Sequence, residues 1–130
     1  MMGSKNEFKI LSPTAILGYG FPEASFEKGI SYNPDLIAVD GGSVDPEPYY
    51  LGSGDSFTSR IAVKNDLSCI LKEAIPKKIP VVIGSCGGAG AQPHLDWCYN
   101  IVKEVLFELN LNAKIALISA DIEKEYIYKK

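Results

Sequence analysis

Apolar residues fall into four short runs along the chain. Most of these runs contain almost no polar residue. The runs cover residues 8–11, 36–39, 80–84 and 114–119, and they are rich in β-branched side chains. A continuous apolar run predicts a strand that is buried on both faces, as in a parallel sheet. The pattern therefore predicts about four mainly parallel strands.

Segments with helical spacing lie between these runs. They cover residues 22–28, about 58–75, and a stretch from just after Pro93 to about residue 109. Apolar residues recur every three or four positions in the two longer segments, and Pro76 ends the first of these. The order β-α-β-α-β-α-β predicts an α/β three-layer sandwich with right-handed crossovers and a Rossmann-like architecture.

Composition narrows the class of protein. The chain has 130 residues, of which 46% are hydrophobic and 22% charged, as expected for one globular domain. The net charge is −3 with a single arginine, Arg60, which argues against a nucleic-acid partner. No membrane span and no secretion signal are predicted, and the three cysteines form no C-x-x-C motif. These features predict a cytoplasmic protein with reduced thiols.

The two ends and one internal stretch stand apart from this pattern. Residues 1–6 are polar and are predicted to be a disordered, tag-like start, with residues 7–130 forming the single domain. Residues 41–57 have no apolar period and are predicted to be a long loop that is either functional or disordered. Residues 121–130 are interpreted either as the start of a further segment or as a terminal helix of a complete domain.

The loop after the third predicted strand contains the motif that is most informative about a ligand site. Four of the seven residues 84–90 are glycine, and a helix is predicted to begin at Pro93. Glycines let backbone amides approach a ligand closely, and a helix N-terminus favours an anion. We therefore expect an anion site at Gly87, Gly88, Ala89 and Gly90; a turn-and-packing role is the alternative. The spacing matches neither a P-loop nor the dinucleotide fingerprint, so no nucleotide cofactor is predicted.

His94 and Asp40 are the candidate catalytic residues. His94 is the only histidine, and its predicted place in the first turn of the third helix suits a neutral base or donor facing the loop mouth. The alternative is a structural residue bonded to the loop. Asp40, at the end of the second strand, is expected to orient a hydroxyl or to form an Asx turn. No ligand spacing indicates a metal site.

Other polar residues complete the candidate site. Ser43 and Ser85 follow the second and third strands and are expected to add hydrogen bonds. Arg60 is either a carboxylate clamp or a surface partner of Asp45 or Asp55.

The three cysteines divide into two groups. Cys86 lies in the glycine-rich loop, where a thiolate is stabilised, and a nucleophile–base pair with His94 is a minor alternative. Cys69 and Cys98 fall on or beside apolar helix stripes and are predicted to belong to the core.

Three blocks of the chain resemble the N-terminal part of the AtuA family, which is named for acyclic terpene utilisation. The blocks are LSPTAILGYGFPEASFEKGI, DLIAVDGGSVDPEPYYLGSG and PVVIGSCGGAGAQPHLDW, and the resemblance covers residues 11 to about 121. It implies an N-terminal portion of a longer protein or one subunit of a split enzyme. It also implies a bacterial or archaeal catabolic role near branched acyl-CoA or small carboxylic acids. The matching motif positions are Asp40, Gly41, Ser43, the 84–90 loop and His94, whereas Cys86 replaces an expected small residue.

Two functions are compatible with these residues. The first is an enzyme acting on a small hydroxy or carboxylic acid, or its CoA ester, by hydratase- or lyase-type proton transfer. The second is a non-catalytic ligand-binding or assembly domain whose chemistry lies on another segment or partner. Both imply a small-molecule acid as ligand and a homo- or hetero-oligomer.

Overall fold

Three short parallel strands form the sheet, and helices connect them. The computed structural model describes residues 7–43 and 45–129. The strands are β1 (Ile10–Leu11), β2 (Leu36–Asp40) and β3 (Val81–Gly84). The helices are α1 (Glu23–Ile30), α2 (Glu47–Ser53), α3 (Arg60–Ala74), α4 (Gln92–Glu108) and α5 (Lys124–Tyr128).

The sheet has the strand order β1-β2-β3, with β2 at its centre. Ile10 lies opposite Leu36, and Ile37 lies opposite Val81, both in parallel register. The α/β class and the parallel sheet agree with the sequence pattern, but the described residues form three strands rather than about four.

The missing strand is the apolar run at residues 114–119. In the structure residues 112–118 border a cavity of about 820 Å³ together with β3 and α4. Adjacent strands form a ladder at a separation of about 4.8 Å, and in the described part of the chain no ladder joins this segment to β3. Its ends are fixed instead by single hydrogen bonds: the Leu111 amide donates to the Leu106 carbonyl and the Ala120 amide to the Gly90 carbonyl.

The core lies on one face of the sheet. Ile37 and Val39 are buried there, in one cluster with the apolar residues of α1, α3 and α4. Strands added in sequence order by right-handed crossovers leave all their helices on the same side. The opposite face carries Ile10 and Val82, which are 60% and 53% exposed. The described helices thus cover one face, and the expected third layer is not seen on the other.

The loop after β2 is more ordered than its composition suggests. Pro46 is the N-cap residue of α2, Pro48 lies in the first turn, and Gly54 ends the helix in the left-handed conformation at φ +77°. Proline presets the first turn of a helix and glycine its termination. The sequence analysis was wrong to treat residues 41–57 as a continuous loop, because a helix of two turns is too short to show an apolar period.

One buried carboxylate holds the loop after β1 against α3. Asp66 is 7% exposed, and its Oδ2 accepts hydrogen bonds from the amides of Gly18 and Gly20 at 2.7 and 3.2 Å. Both glycines have positive φ, so their amides turn towards the helix. The sequence analysis missed this contact; the one available signal was a charged residue inside the apolar stripe of α3.

The remaining terminal predictions have mixed outcomes. The expectation for residues 1–6 lies outside the described residues. Residues 124–128 form α5, and all five are exposed.

The two cysteines that were predicted to belong to the core differ in burial. Cys98 is buried as predicted, but Cys69 is exposed rather than part of the core. Within the described part of the chain, no helix combines the length and apolar character needed to cross a bilayer.

Candidate functional site

The loops that follow the three strands are tied together at the carboxyl edge of the sheet. The Leu17 amide donates to the Asp40 carbonyl at 2.8 Å, and the Gly41 amide donates to the Gly84 carbonyl at 2.7 Å. In open α/β sheets this edge is the usual location of a ligand site. The structure therefore brings the predicted strand-end loops into one region.

The glycine-rich loop is bonded to itself and to α4. The amides of Gly88 and Gly90 donate to the carbonyls of Ser85 and Cys86 at 2.7 and 3.2 Å. The Ala89 amide donates to Nδ1 of His94 at 3.1 Å. These three amides are already used inside the protein. The anion cradle expected at Gly87, Gly88, Ala89 and Gly90 is therefore not formed by them.

The glycines instead allow backbones to pack closely. A Cβ atom on Gly42 would lie 2.0 Å from the carbonyl oxygen of Gly88. A Cβ on Gly87, whose φ is +72°, would lie 2.6 Å from the carbonyl oxygen of His94. No side chain fits at such distances, so the geometry supports the turn-and-packing alternative for this motif.

His94 points into the protein rather than towards the loop mouth. Its ring is 1% exposed, and Nε2 lies 3.1 Å from the Tyr50 carbonyl and 2.9 Å from the Asp55 carbonyl. Because Nδ1 accepts the Ala89 amide, the ring hydrogen sits on Nε2 and is donated to these carbonyls. His94 thus joins α4, the glycine-rich loop and the end of α2. Proton transfer at the loop mouth and pairing with Cys86 gain no support from this position.

The N-terminus of α4 is capped by the chain itself. Oδ2 of Asp121 accepts the Gln92 amide at 2.8 Å and the Ser119 hydroxyl at 2.5 Å. The Ser119 hydrogen bond, followed by that from Gln92, lowers the pKa of the Asp121 carboxyl. The negative charge expected at this helix N-terminus is thus supplied by a carboxylate 29 residues further along the chain.

Arg60 lies away from the strand ends, in an ion-pair network between α3 and α4. Its Nη2 lies 2.6 Å from Glu104, which also accepts from Lys64 at 2.5 Å. Lys64 pairs in addition with Glu108 at 2.7 Å. Arg60 is thus a surface partner, as the alternative interpretation had it, but of Glu104 rather than Asp45 or Asp55.

This network gives a pH-dependent contribution to stability. Hydrogen bonds from Lys64 and then Arg60 lower the pKa of Glu104 to about 2. Since the lowered pKa belongs to the folded state, the contribution is complete above the ordinary glutamate pKa and is lost as the pH falls towards about 2. We expect the free energy of unfolding of Glu104→Gln to fall less over this acid range than that of the parent.

Urea unfolding at several pH values measures this difference. Glu27→Gln, on the exposed side of α1, is the control for removing one negative charge. Equal acid slopes for Glu104→Gln and the parent would contradict the assignment.

A depression on the open face of the sheet is lined by two of the candidate residues, Asp40 and Ser85. It has a volume of about 390 Å³ and is lined by Ser12, Ala15, Ala38, Val39, Asp40, Val82, Gly84 and Ser85. The sequence correctly placed Asp40 and Ser85 together at the strand ends. Ser43 is not among the lining residues, and Ser12 was missed, although its place directly after β1 was a usable signal.

Asp40 and Ser85 have constrained backbones. Oδ1 of Asp40 accepts the Gly42 amide at 3.1 Å, which is the Asx turn expected as one of its two roles. Ser85 adopts a φ of +46°, a conformation that costs free energy for a residue with a side chain. Alternating residues of β2 and β3 place Ala38 and Val82 beneath them as an apolar floor.

Two further observations bear on the chemistry. Among residues 7–43 and 45–129, no three or more His, Cys, Asp or Glu side chains are grouped in a way that would hold a metal ion. No family model matches the chain, and no curated protein or solved structure matches it at a significant level. The AtuA resemblance therefore stays a prediction from the sequence.

Proposed function

We propose that this α/β unit binds a small hydroxylated molecule of the hydroxy-acid class in the depression at Asp40. The observation that supports it is the position of Asp40 at the end of the central strand, in a depression that is also lined by Ser12 after β1 and Ser85 after β3. A carboxylate accepts strong hydrogen bonds from ligand hydroxyls, and serine hydroxyls both donate and accept. Ala38 and Val82 would contact the carbon skeleton.

Charge determines how such a ligand is oriented. Asp40 carries a negative charge when ionised and repels the carboxylate of a hydroxy acid, so the hydroxyl group faces Asp40 and the acid group points away. Arg60 does not neutralise that acid group, because it is paired with Glu104 of α4 and does not line the depression. A cation for the acid group therefore comes from outside this depression, which favours a site shared with another unit.

On this proposal the chain binds ligand, and the acid–base group lies elsewhere. His94 is used in packing, so the hydratase- or lyase-type reaction of an AtuA-like enzyme needs a proton-transfer group from another segment or subunit. The same unit would cover Ile10 and Val82 and complete a three-layer, Rossmann-like sandwich. A CoA ester of the acid remains within the proposed ligand class, since the acid end faces outwards.

The test compares two acids that differ by one hydroxyl. We expect β-hydroxybutyrate to bind at least about tenfold more tightly than butyrate, as one charge-assisted hydrogen bond contributes about 1.5–3 kcal/mol and about 1.4 kcal/mol is tenfold in affinity. Asp40→Asn keeps an oxygen for the Gly42 amide but removes the charge, and we expect it to abolish this preference. Ligand-observed NMR titration measures both affinities.

Asp96→Asn is the matched control, because Asp96 is exposed on α4 and pairs with Gln92 outside the depression. It should leave the preference unchanged. Equal affinity of the parent for the two acids, or an unchanged preference in Asp40→Asn, would contradict the proposal.

A further inference from the structure

The cavity of about 820 Å³ beside β3 is apolar over most of its wall. Its volume lies within the range of about 300–1,000 Å³ that is typical of small-molecule pockets. Aliphatic side chains border it from α3, β3, α4 and the segment 112–118. They include Leu71, Ile75, Val81, Ile83, Val102 and Leu106. Such a wall favours a ligand with a hydrocarbon body.

The charged residues that border this cavity are both cations. Lys78 and Lys114 lie on its wall, and none of the described residues around it is Asp or Glu. The ion pairs of the described residues involve other cations, so neither lysine has a carboxylate partner there. Because opposite charges attract, the two ammonium groups favour an anionic group on the ligand.

The two lysines lie at one end of the cavity. Lys78 precedes β3, and Lys114 begins the segment that follows α4. The far end of that segment is held beyond the end of β3, since the Ala120 amide donates to the Gly90 carbonyl at 2.9 Å. The segment therefore runs in the direction of β3, with its lysine at the amino end of the strand. Leu95, near the start of α4, borders the opposite end, which is apolar.

We propose that this cavity binds a medium-chain aliphatic carboxylate, with its carboxylate at Lys78 and Lys114 and its hydrocarbon chain along β3. The four residues of β3 span about 13 Å, which is close to the length of an extended chain of about ten carbons. The proposal does not rest on the hydroxy-acid site, because the two sites use charges of opposite sign, at the lysines and at Asp40.

The first test is isothermal titration calorimetry of the full chain with octanoate and decanoate, each below its micellar concentration. Decanoate should bind about fifteenfold more tightly, since each methylene that leaves water tightens binding about fourfold. Decyltrimethylammonium has the same chain length but a positive head group, and it should bind about tenfold more weakly than decanoate. The proposal is overturned if decanoate does not bind, if octanoate binds equally well, or if the cationic compound does.

Variants at the wall test the location. Ala116 borders the cavity and is exposed, so a larger side chain there takes up space outside the core. Ala116→Trp should weaken decanoate binding about tenfold or more. Lys78→Gln with Lys114→Gln should weaken it about fivefold, since exposed ion pairs contribute little. Lys72→Gln with Lys124→Gln removes the same charge away from the cavity and should leave the affinity unchanged. Full affinity in Ala116→Trp or in the first lysine pair overturns the proposal.

Other occupants and the other site give distinct results. If a second copy of the chain covers the cavity, sedimentation velocity will show a dimer that Ala116→Trp dissociates, and the parent will not bind decanoate. That result overturns the proposal. Asp40→Asn should bind decanoate as the parent does. A loss of decanoate binding in Asp40→Asn would place the ligand in the depression instead, and would equally overturn it.

Discussion

Gly42→Ala is expected to destabilise the chain by about 3 kcal/mol or more, the upper range for an overpacked site. The added Cβ would lie 2.0 Å from the Gly88 carbonyl oxygen and 2.5 Å from the Gly88 Cα. Both contacts are with backbone, so no side chain can move aside, and the loops after β2 and β3 must separate. Because the Gly42 amide also closes the Asx turn on Asp40, the same change should weaken binding of a hydroxy acid.

Gly52→Ala is the matched control for this prediction. Gly52 lies in α2, and a Cβ there would meet nothing within 4 Å. Alanine is a better helix former than glycine, so this variant should be equal to the parent or more stable by about 0.5–1 kcal/mol. Thermal unfolding of the three proteins measures the differences. Equal midpoints for Gly42→Ala and the parent would mean that the two loops do not pack as described.

The long elements could be predicted from sequence because their signals are local. The apolar stripe of α3 and the stop at Pro76 predicted residues 58–75, and the helix runs from Arg60 to Ala74. The central strand was predicted at residues 36–39 and observed at Leu36–Asp40. Residues 114–119 have the same local pattern as a strand. Whether they pair depends on the distance to β3, which no local pattern contains.

The candidate site was harder to predict, because one motif serves two purposes. A glycine permits a backbone to approach a ligand and equally permits it to approach another backbone. The residue that decides between them here is Gly42, which contacts the glycine-rich loop at Gly88 from 46 positions earlier in the chain. The cap that Asp121 provides for α4 is likewise a long-range contact. Residue spacing within one segment cannot predict such distant partners. It could predict the position of Asp40, because this residue directly ends a strand.

These contacts are the reason that the proposed site lies at Asp40 rather than at the glycine-rich loop that the sequence favoured. Three amides of the glycine-rich loop, the Gln92 amide at the start of α4 and the ring of His94 are engaged within the protein. What stays accessible at the carboxyl edge is the open face, where Asp40 and Ser85 border a depression. The glycine-rich loop therefore contributes by fixing Ser85 and Cys86, and its role is positional.

The last prediction separates the two roles considered for His94. His94→Ala should lower the free energy of unfolding by about 3 kcal/mol, because it leaves the Ala89 amide and two carbonyl groups without their present partner. The midpoint of thermal unfolding should fall by about 10 °C for a chain of this size. A residue at the loop mouth that only moved a proton would not produce such a loss.

Two isosteric variants make this test specific. His94→Asn offers an acceptor near the position of Nδ1, and His94→Gln offers a donor near that of Nε2, so each should recover part of the stability lost in the alanine variant. At temperatures where His94→Ala is folded, its preference for β-hydroxybutyrate over butyrate should match that of the parent, since Asp40 is untouched. A His94→Ala protein of unchanged stability that lost this preference would instead place His94 in contact with the ligand. In that case the His94 ring would have to leave its contacts with Ala89, Tyr50 and Asp55 when the ligand binds.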